Sequence, residues 1–130
     1  MRNTCLLGLL IIWAVLSSGC AKPYRAITSK SPVEGVFLTT ETYRGYGPTS
    51  PEVTQVYAHF ERHGRAKRIL VLDGADLTIG RIVWNGPGSV TLCLDGGYTS
   101  TFRNEVTLIL GDTPDEARTI RFRLDDSCPG

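Results

Sequence analysis

From Val33 to the C-terminus the chain is a succession of short stretches in which apolar and polar residues alternate, and residues that favour turns cut these stretches apart. A period of two places successive side chains on opposite faces of a strand, so each stretch has one face for a core and one for water. Val56-Ala58-Phe60 against Tyr57-His59-Glu61, Val106-Leu108-Leu110 against Glu105-Thr107-Ile109, and Ile120-Phe122-Leu124 against Arg121-Arg123 are the clearest cases. No segment repeats its apolar residues at helical spacing. The alternation predicts seven strands, over about 34–43, 53–62, 67–72, 76–84, 89–94, 101–110 and 117–125. His63-Gly64, Asp73-Gly74, Asn85-Gly86-Pro87-Gly88, Asp95-Gly96-Gly97 and Gly111-Asp112-Thr113-Pro114 supply the turns.

An all-β domain follows: one small antiparallel β-sandwich or barrel, mostly a meander, with a single core. Gly80 interrupts the phase of Leu77-Ile79, which resumes at Ile82 and Trp84, so a bulge is expected there and Trp84 is expected in the core. The 130 residues suffice for one domain, and 42% hydrophobic with 21% charged residues excludes a disordered chain.

The N-terminus has a different organisation. Arg2 is followed by the uncharged run Leu6–Leu16 and then by Ser17-Ser18-Gly19-Cys20. This basic, apolar, small-residue order is that of a secretory signal, and the run is too short for a membrane span of roughly 20 apolar residues. Leu16-Ser17-Ser18-Gly19-Cys20 resembles the lipobox of bacterial lipoprotein precursors, although Leu sits one place earlier than in the usual pattern. The resemblance implies cleavage before Cys20, acylation of Cys20 and attachment to a membrane through that lipid. An ordinary signal peptide that leaves Cys20 as a thiol is the alternative. The expected organisation is a signal peptide over 1–19, a lipidated N-terminus and flexible linker over 20–32, and a β domain over 33–130. Ala21 stands where an aspartate would hold a lipoprotein at the inner membrane, so the implied location is the cell envelope, at the outer membrane and facing the periplasm.

With Cys5 removed and Cys20 acylated, Cys93 and Cys128 remain of the four cysteines. An even number in an exported chain predicts a Cys93–Cys128 disulfide. Cys93 lies out of phase with Val90, Leu92 and Leu94, which places the bond on the outer surface, where it pins the C-terminal tail.

Candidate binding residues form two groups. Arg62, Arg65, Lys67 and Arg68 cluster at the turn around Gly64 and suit anionic surface groups, or serve as solvated residues that discourage edge pairing. Tyr43, Arg44 and Tyr46 lie in a Gly/Pro-rich loop and have the composition of interaction surfaces. Without Arg2 the chain has thirteen basic and thirteen acidic side chains, a neutral balance that argues against nucleic acid as a partner. His59 and His63, four apart on a strand, stand some 13 Å from each other and give no metal site, and no cofactor is expected. The acidic residues of the turns lack the spacing of a calcium loop. No serine or cysteine nucleophile has a recognisable setting, so no catalytic residue is assigned and the chain is read as a non-enzyme.

Pro51–Val56 and Trp84-Asn85 resemble small envelope proteins of Gram-negative bacteria, a likeness to which no activity attaches. The sequence therefore favours a non-enzymatic binding or structural module with an envelope protein or glycan as partner. Two alternatives stay open: an inhibitor of a periplasmic hydrolase such as lysozyme, by analogy of size and location alone, and an envelope hydrolase.

Overall fold

A computed structural model describes residues 22–45, 47–62, 64–109, 111 and 116–128. The expected signal peptide and Cys20 lie outside these residues. Among the described residues nine strands follow in chain order: β1 Arg25–Lys30, β2 Val36–Tyr43, β3 Val53–Arg62, β4 Arg65–Ala75, β5 Ile79–Trp84, β6 Ser89–Leu94, β7 Tyr98–Phe102, β8 Glu105–Ile109 and β9 Ala117–Asp125. They form a five-stranded sheet in the order β1-β2-β3-β4-β7 and a four-stranded sheet in the order β5-β6-β9-β8. Neither sheet closes on itself, so the domain is a β-sandwich and not a barrel.

The alternation decides which side chains lie between the sheets. Val36 and Leu38 of β2, Val56, Ala58 and Phe60 of β3, and Val71 and Leu72 of β4 meet Val90 and Leu92 of β6, Val106 and Leu108 of β8, and Ile120 and Phe122 of β9 in one buried cluster. Val71 and Leu72 are neighbours in sequence and yet both buried. The β3–β4 register shifts between Val56 and Tyr57, because Val56 pairs with Leu72 while Tyr57 pairs with Leu70, and Val71 is the additional residue of a bulge. A second register shift between Ile79 and Arg81 falls at Gly80, where the broken phase predicts it.

Four expectations need correction. The linker over 20–32 contains β1, which pairs antiparallel with β2 from Arg25↔Thr42 to Lys30↔Phe37. Asp73-Gly74 is not a turn but lies within β4, at a register shift against β7, and Gly74 is packed too closely against the Tyr98 carbonyl to carry a Cβ. The stretch 101–110 is two strands in different sheets, divided at Arg103-Asn104. The sandwich is also not antiparallel throughout: β6 and β9 are parallel, from Ser89↔Arg121 to Cys93↔Asp125. Parallel neighbours need a long connection, and the chain makes it by passing through β7 and β8. The meander therefore holds only for β1 to β4.

Trp84 is half-buried at the margin of the core and not fully inside it, where its indole N–H donates to Ser29 Oγ on the core-facing side of β1 at 3.2 Å. Cys93 and Cys128 form the disulfide, with Cα atoms 5.7 Å apart. The tail beyond β9 thereby lies over the outward side of β6 and leaves Cys93 only 5% exposed.

Candidate functional site

The two sheets present unlike outer faces. Alternation and register bring Arg81, Val83, Thr91, Thr107, Ile109, Thr119, Arg121 and Arg123 to the outside of the four-stranded sheet, a face mainly of charges and hydroxyls on which Ile109 stands exposed. On the five-stranded sheet the same argument brings out Phe37, Thr39, Glu41 and Tyr43 of β2, Gln55, Tyr57 and His59 of β3, and Arg68 and Leu70 of β4. Apart from the exposed Arg68, these side chains are half-buried. They are covered by one another, because aromatic rings opposite each other on adjacent strands come into contact.

Phe37 and His59 are register partners, and their rings stack with centroids 4.7 Å apart and planes 5° from parallel. Tyr57 stands two residues along β3, tilted at 60° to the His59 ring with centroids 6.4 Å apart. Arg68, the register partner of His59 on β4, extends diagonally so that its guanidinium lies 3.5 Å from the Tyr57 ring centroid, and it ends in an ion pair with Glu41. Glu41 also accepts a hydrogen bond from the Tyr43 hydroxyl at 2.9 Å, and Gln55 accepts one from Tyr57 at 2.8 Å. Thr39 Oγ1 and His59 Nε2 share a hydrogen bond of 2.6 Å. Three strands thus supply one continuous web of rings and polar groups.

Its electrostatics follow from this partial burial. Burial pushes the His59 pKa below the ordinary histidine value, with the Arg68 charge adding to the effect. Burial raises the Tyr43 hydroxyl, helped by its bond to Glu41. Tyr57 is also raised by burial, against the opposing influence of Arg68. The neutral forms of all three are favoured near neutrality. Arg68 and Glu41 form an ion pair beside them.

The residues singled out in the sequence divide differently. Tyr43 belongs to the web, whereas Arg44 turns to the Tyr24 ring, 4.8 Å from its centroid, and Tyr46 lies outside the described residues. Arg62 pairs with Arg65 and Lys67 with Phe60, so these three have the phase of the core-facing side beyond the end of the core. Arg62 makes a 3.5 Å ion pair with Glu116. Arg68 has the opposite phase and is engaged by Glu41 and Tyr57. The four basic residues are therefore not one patch. His63 lies outside the described residues, among which no group of three metal-ligating side chains is found.

Alternation alone does not single out Phe37, Thr39, Glu41 and Tyr57, and it predicts a wet face for His59 on β3. The available signal was the run of aromatic residues at alternate, non-core positions of two consecutive strands. Comparison of the chain with protein-family models, curated proteins and solved structures finds no match.

Proposed function

We propose that the chain is a lipid-anchored lipoprotein of the bacterial cell envelope, held at the outer membrane through Cys20, and that its β-sandwich is a non-enzymatic binding module. On this reading the outer face of the five-stranded sheet receives a protein partner. The observation that carries it is the web around Tyr57: half-buried aromatic rings and an arginine, the residue types enriched where proteins associate, fixed in place before any partner arrives. A face whose only task is to meet water needs no such investment in rings. Binding is favoured over catalysis because the polar groups are committed to one another. Glu41 is engaged by Arg68 and Tyr43, and His59 by Thr39, which fixes the shape of the face.

The test is site-specific photocrosslinking of the full chain in intact envelopes. A photoreactive side chain at Thr28 or Leu70, on the outside of the five-stranded sheet, is expected to give a discrete adduct with a second protein. The same group at Thr107 or Thr119, on the opposite face, is expected to give none. Adducts from neither face, or equally from both, would overturn the assignment of this face.

A further inference from the structure

One edge of the five-stranded sheet is incomplete. β4 runs from Arg65 to Ala75, whereas β7, its neighbour on the side away from β3, pairs only with Leu72, Asp73, Gly74 and Ala75. The chain parts from β4 once the Arg103 N–H has donated to the Val71 carbonyl at 2.8 Å. Beyond that bond no described strand lies beside Ala66 to Leu70, and Ala66, Lys67 and Arg68 are exposed. The direction of the backbone there follows from β3. The Glu61 N–H donates to the Gly35 carbonyl, on the side of β2, so Phe60 and Arg62, of opposite phase, exchange bonds with Lys67 and Arg65. The N–H and C=O groups of Ala66 and Arg68 alternate with these and are directed to the open side. Such a row is a template for a further strand.

The side chains beside the row decide which strand it accepts. Lys67 has the phase of the core-facing side beyond the end of the core, where a charge opposes burial of an apolar strand. A second copy docked by the same edge about a two-fold axis sets Lys67 and Arg68 beside another Lys67 and Arg68, like charges opposed. The exposed Arg103 adds a cation where β7 departs. The carboxylates nearby are placed elsewhere: Glu41 is in its ion pair with Arg68, Glu116 is in its ion pair with Arg62, and Glu61 has the phase of the outer side.

We propose that the open edge of β4 takes up an extended acidic segment of a partner polypeptide, which adds a strand beside Ala66 to Leu70. Its carboxylates, at alternate positions, face Lys67 on the inner side, and the apolar side chains between them lie beside Leu70 on the outer side. Main-chain bonds to Ala66 and Arg68 give affinity, and the charges that repel a copy of the chain give selectivity. This edge is a site of its own and does not rest on the aromatic face receiving a partner.

The test titrates the full chain, extracted in detergent, with an eight-residue peptide of alternating glutamate and valine, and follows the amide resonances and hydrogen exchange of Ala66 and Arg68. Saturable protection of both amides is expected, and none with the peptide in which lysine replaces glutamate. N-methylation of the valine amides, which face β4, is expected to abolish binding, and N-methylation of the glutamate amides, which face away, to spare it. Lys67→Glu is expected to weaken binding about fivefold or more, by reversal of one exposed charge. Ala66→Pro deletes an outward N–H and no bond to β3, so it is expected to abolish binding, and Lys67→Glu decides where that variant does not fold. No protection at millimolar peptide, equal binding of the lysine peptide, or an equal effect of the two methylations would overturn the proposal. Protection of both amides without peptide, together with a dimer in size-exclusion chromatography, would overturn it in favour of a second copy.

Discussion

His59 of β3 and Phe37 of β2 lie opposite each other in register with their rings parallel, and the remaining side of the histidine is bounded by Arg68 of β4. Charging this ring sets a cation beside a cation and removes any acceptor role of Nε2 toward Thr39. The groups that bear on it are Arg68, which opposes protonation, and Glu41 and Glu61, which favour it more weakly than burial disfavours it.

The pH dependence has a definite sign. The folded-state pKa of His59 lies below its ordinary value of 6.5, so the unfolded chain takes up the proton first. The stability that His59 contributes is complete above about pH 6.5 and is lost as the pH falls through the folded-state pKa. Melting temperature is expected to decline between pH 7.5 and 5, and His59→Gln should flatten part of that decline. Proton NMR of the ring checks the cause directly: titration of His59 at or above 6.5 would refute the role given to burial.

Arg68 tests whether the face is a web or a set of separate contacts. Arg68→Ala removes the guanidinium from both Tyr57 and Glu41 and is expected to cost about 1 kcal/mol in urea unfolding, a cation–π contact and an ion pair at a half-exposed site. Arg68→Lys should recover less than half of it, since an ammonium lacks the planar group that lies over the ring. A double-mutant cycle with Tyr57→Leu that gives strict additivity would show that the two residues do not act together.

What could be read from the sequence depended on whether an element has two unlike faces. β3, β6 and β9 match the expected ranges because each alternates cleanly between core and surface. β1 escaped because Arg25–Lys30 is an edge strand with little buried surface, and Arg25, Thr28, Ser29 and Lys30 disguise its period. Asp73-Gly74 looked like a turn because glycine marks either a turn or a close backbone approach, and only the three-dimensional neighbour Tyr98 decides between them. The candidate face is a property of register. Alternation places Tyr57 and His59 on the non-core side, but it does not tell that Phe37 lies beside His59 or that Arg68 leaves Lys67 to join Glu41.

β1 leads to a prediction about the domain boundary. A chain beginning at Val33 retains the expected β domain but lacks β1, which frees the edge of β2 and deprives the Trp84 indole of Ser29. A bare edge is a template for association. Compared with a chain beginning at Lys22, it is expected to melt several degrees lower and to elute as larger species in size-exclusion chromatography. Equal melting and elution would show that β1 is dispensable to the fold.

Lipidation can be tested independently of the fold. Cys20→Ala is expected to abolish incorporation of labelled palmitate and to leave the N-terminal segment uncleaved, so that the protein migrates as the precursor. Equal labelling of variant and wild type would remove the anchor from the proposed function.

The disulfide joins compartment and stability. Cys93 is in β6, directly beside Asp125 at the end of β9, and Cys128 lies three residues further on in the tail. The tail has its own support: Asp125 accepts the Ser127 N–H and hydroxyl, each at 2.9 Å, and these bonds hold its carboxyl below the ordinary value. That turn directs Cys128 back to Cys93, so the bond closes over an arrangement the chain already prefers. With a sequence separation of 35, the chain-entropy model assigns the cross-link about 3–4 kcal/mol, acting mainly on the unfolded state. In a domain of about 100 residues, 1 kcal/mol corresponds to roughly 4–8 °C. Reduction, or Cys93→Ala with Cys128→Ala, is expected to lower the melting temperature by about 10 °C or more. Because the tail lies on the outer side of β6 and not between the sheets, the reduced protein should retain its far-ultraviolet strand signal below the new transition. A change of less than about 2 °C would mean that the cross-link constrains little of the unfolded chain. Loss of strand signal at low temperature would mean that the tail is needed to hold β6 against β9.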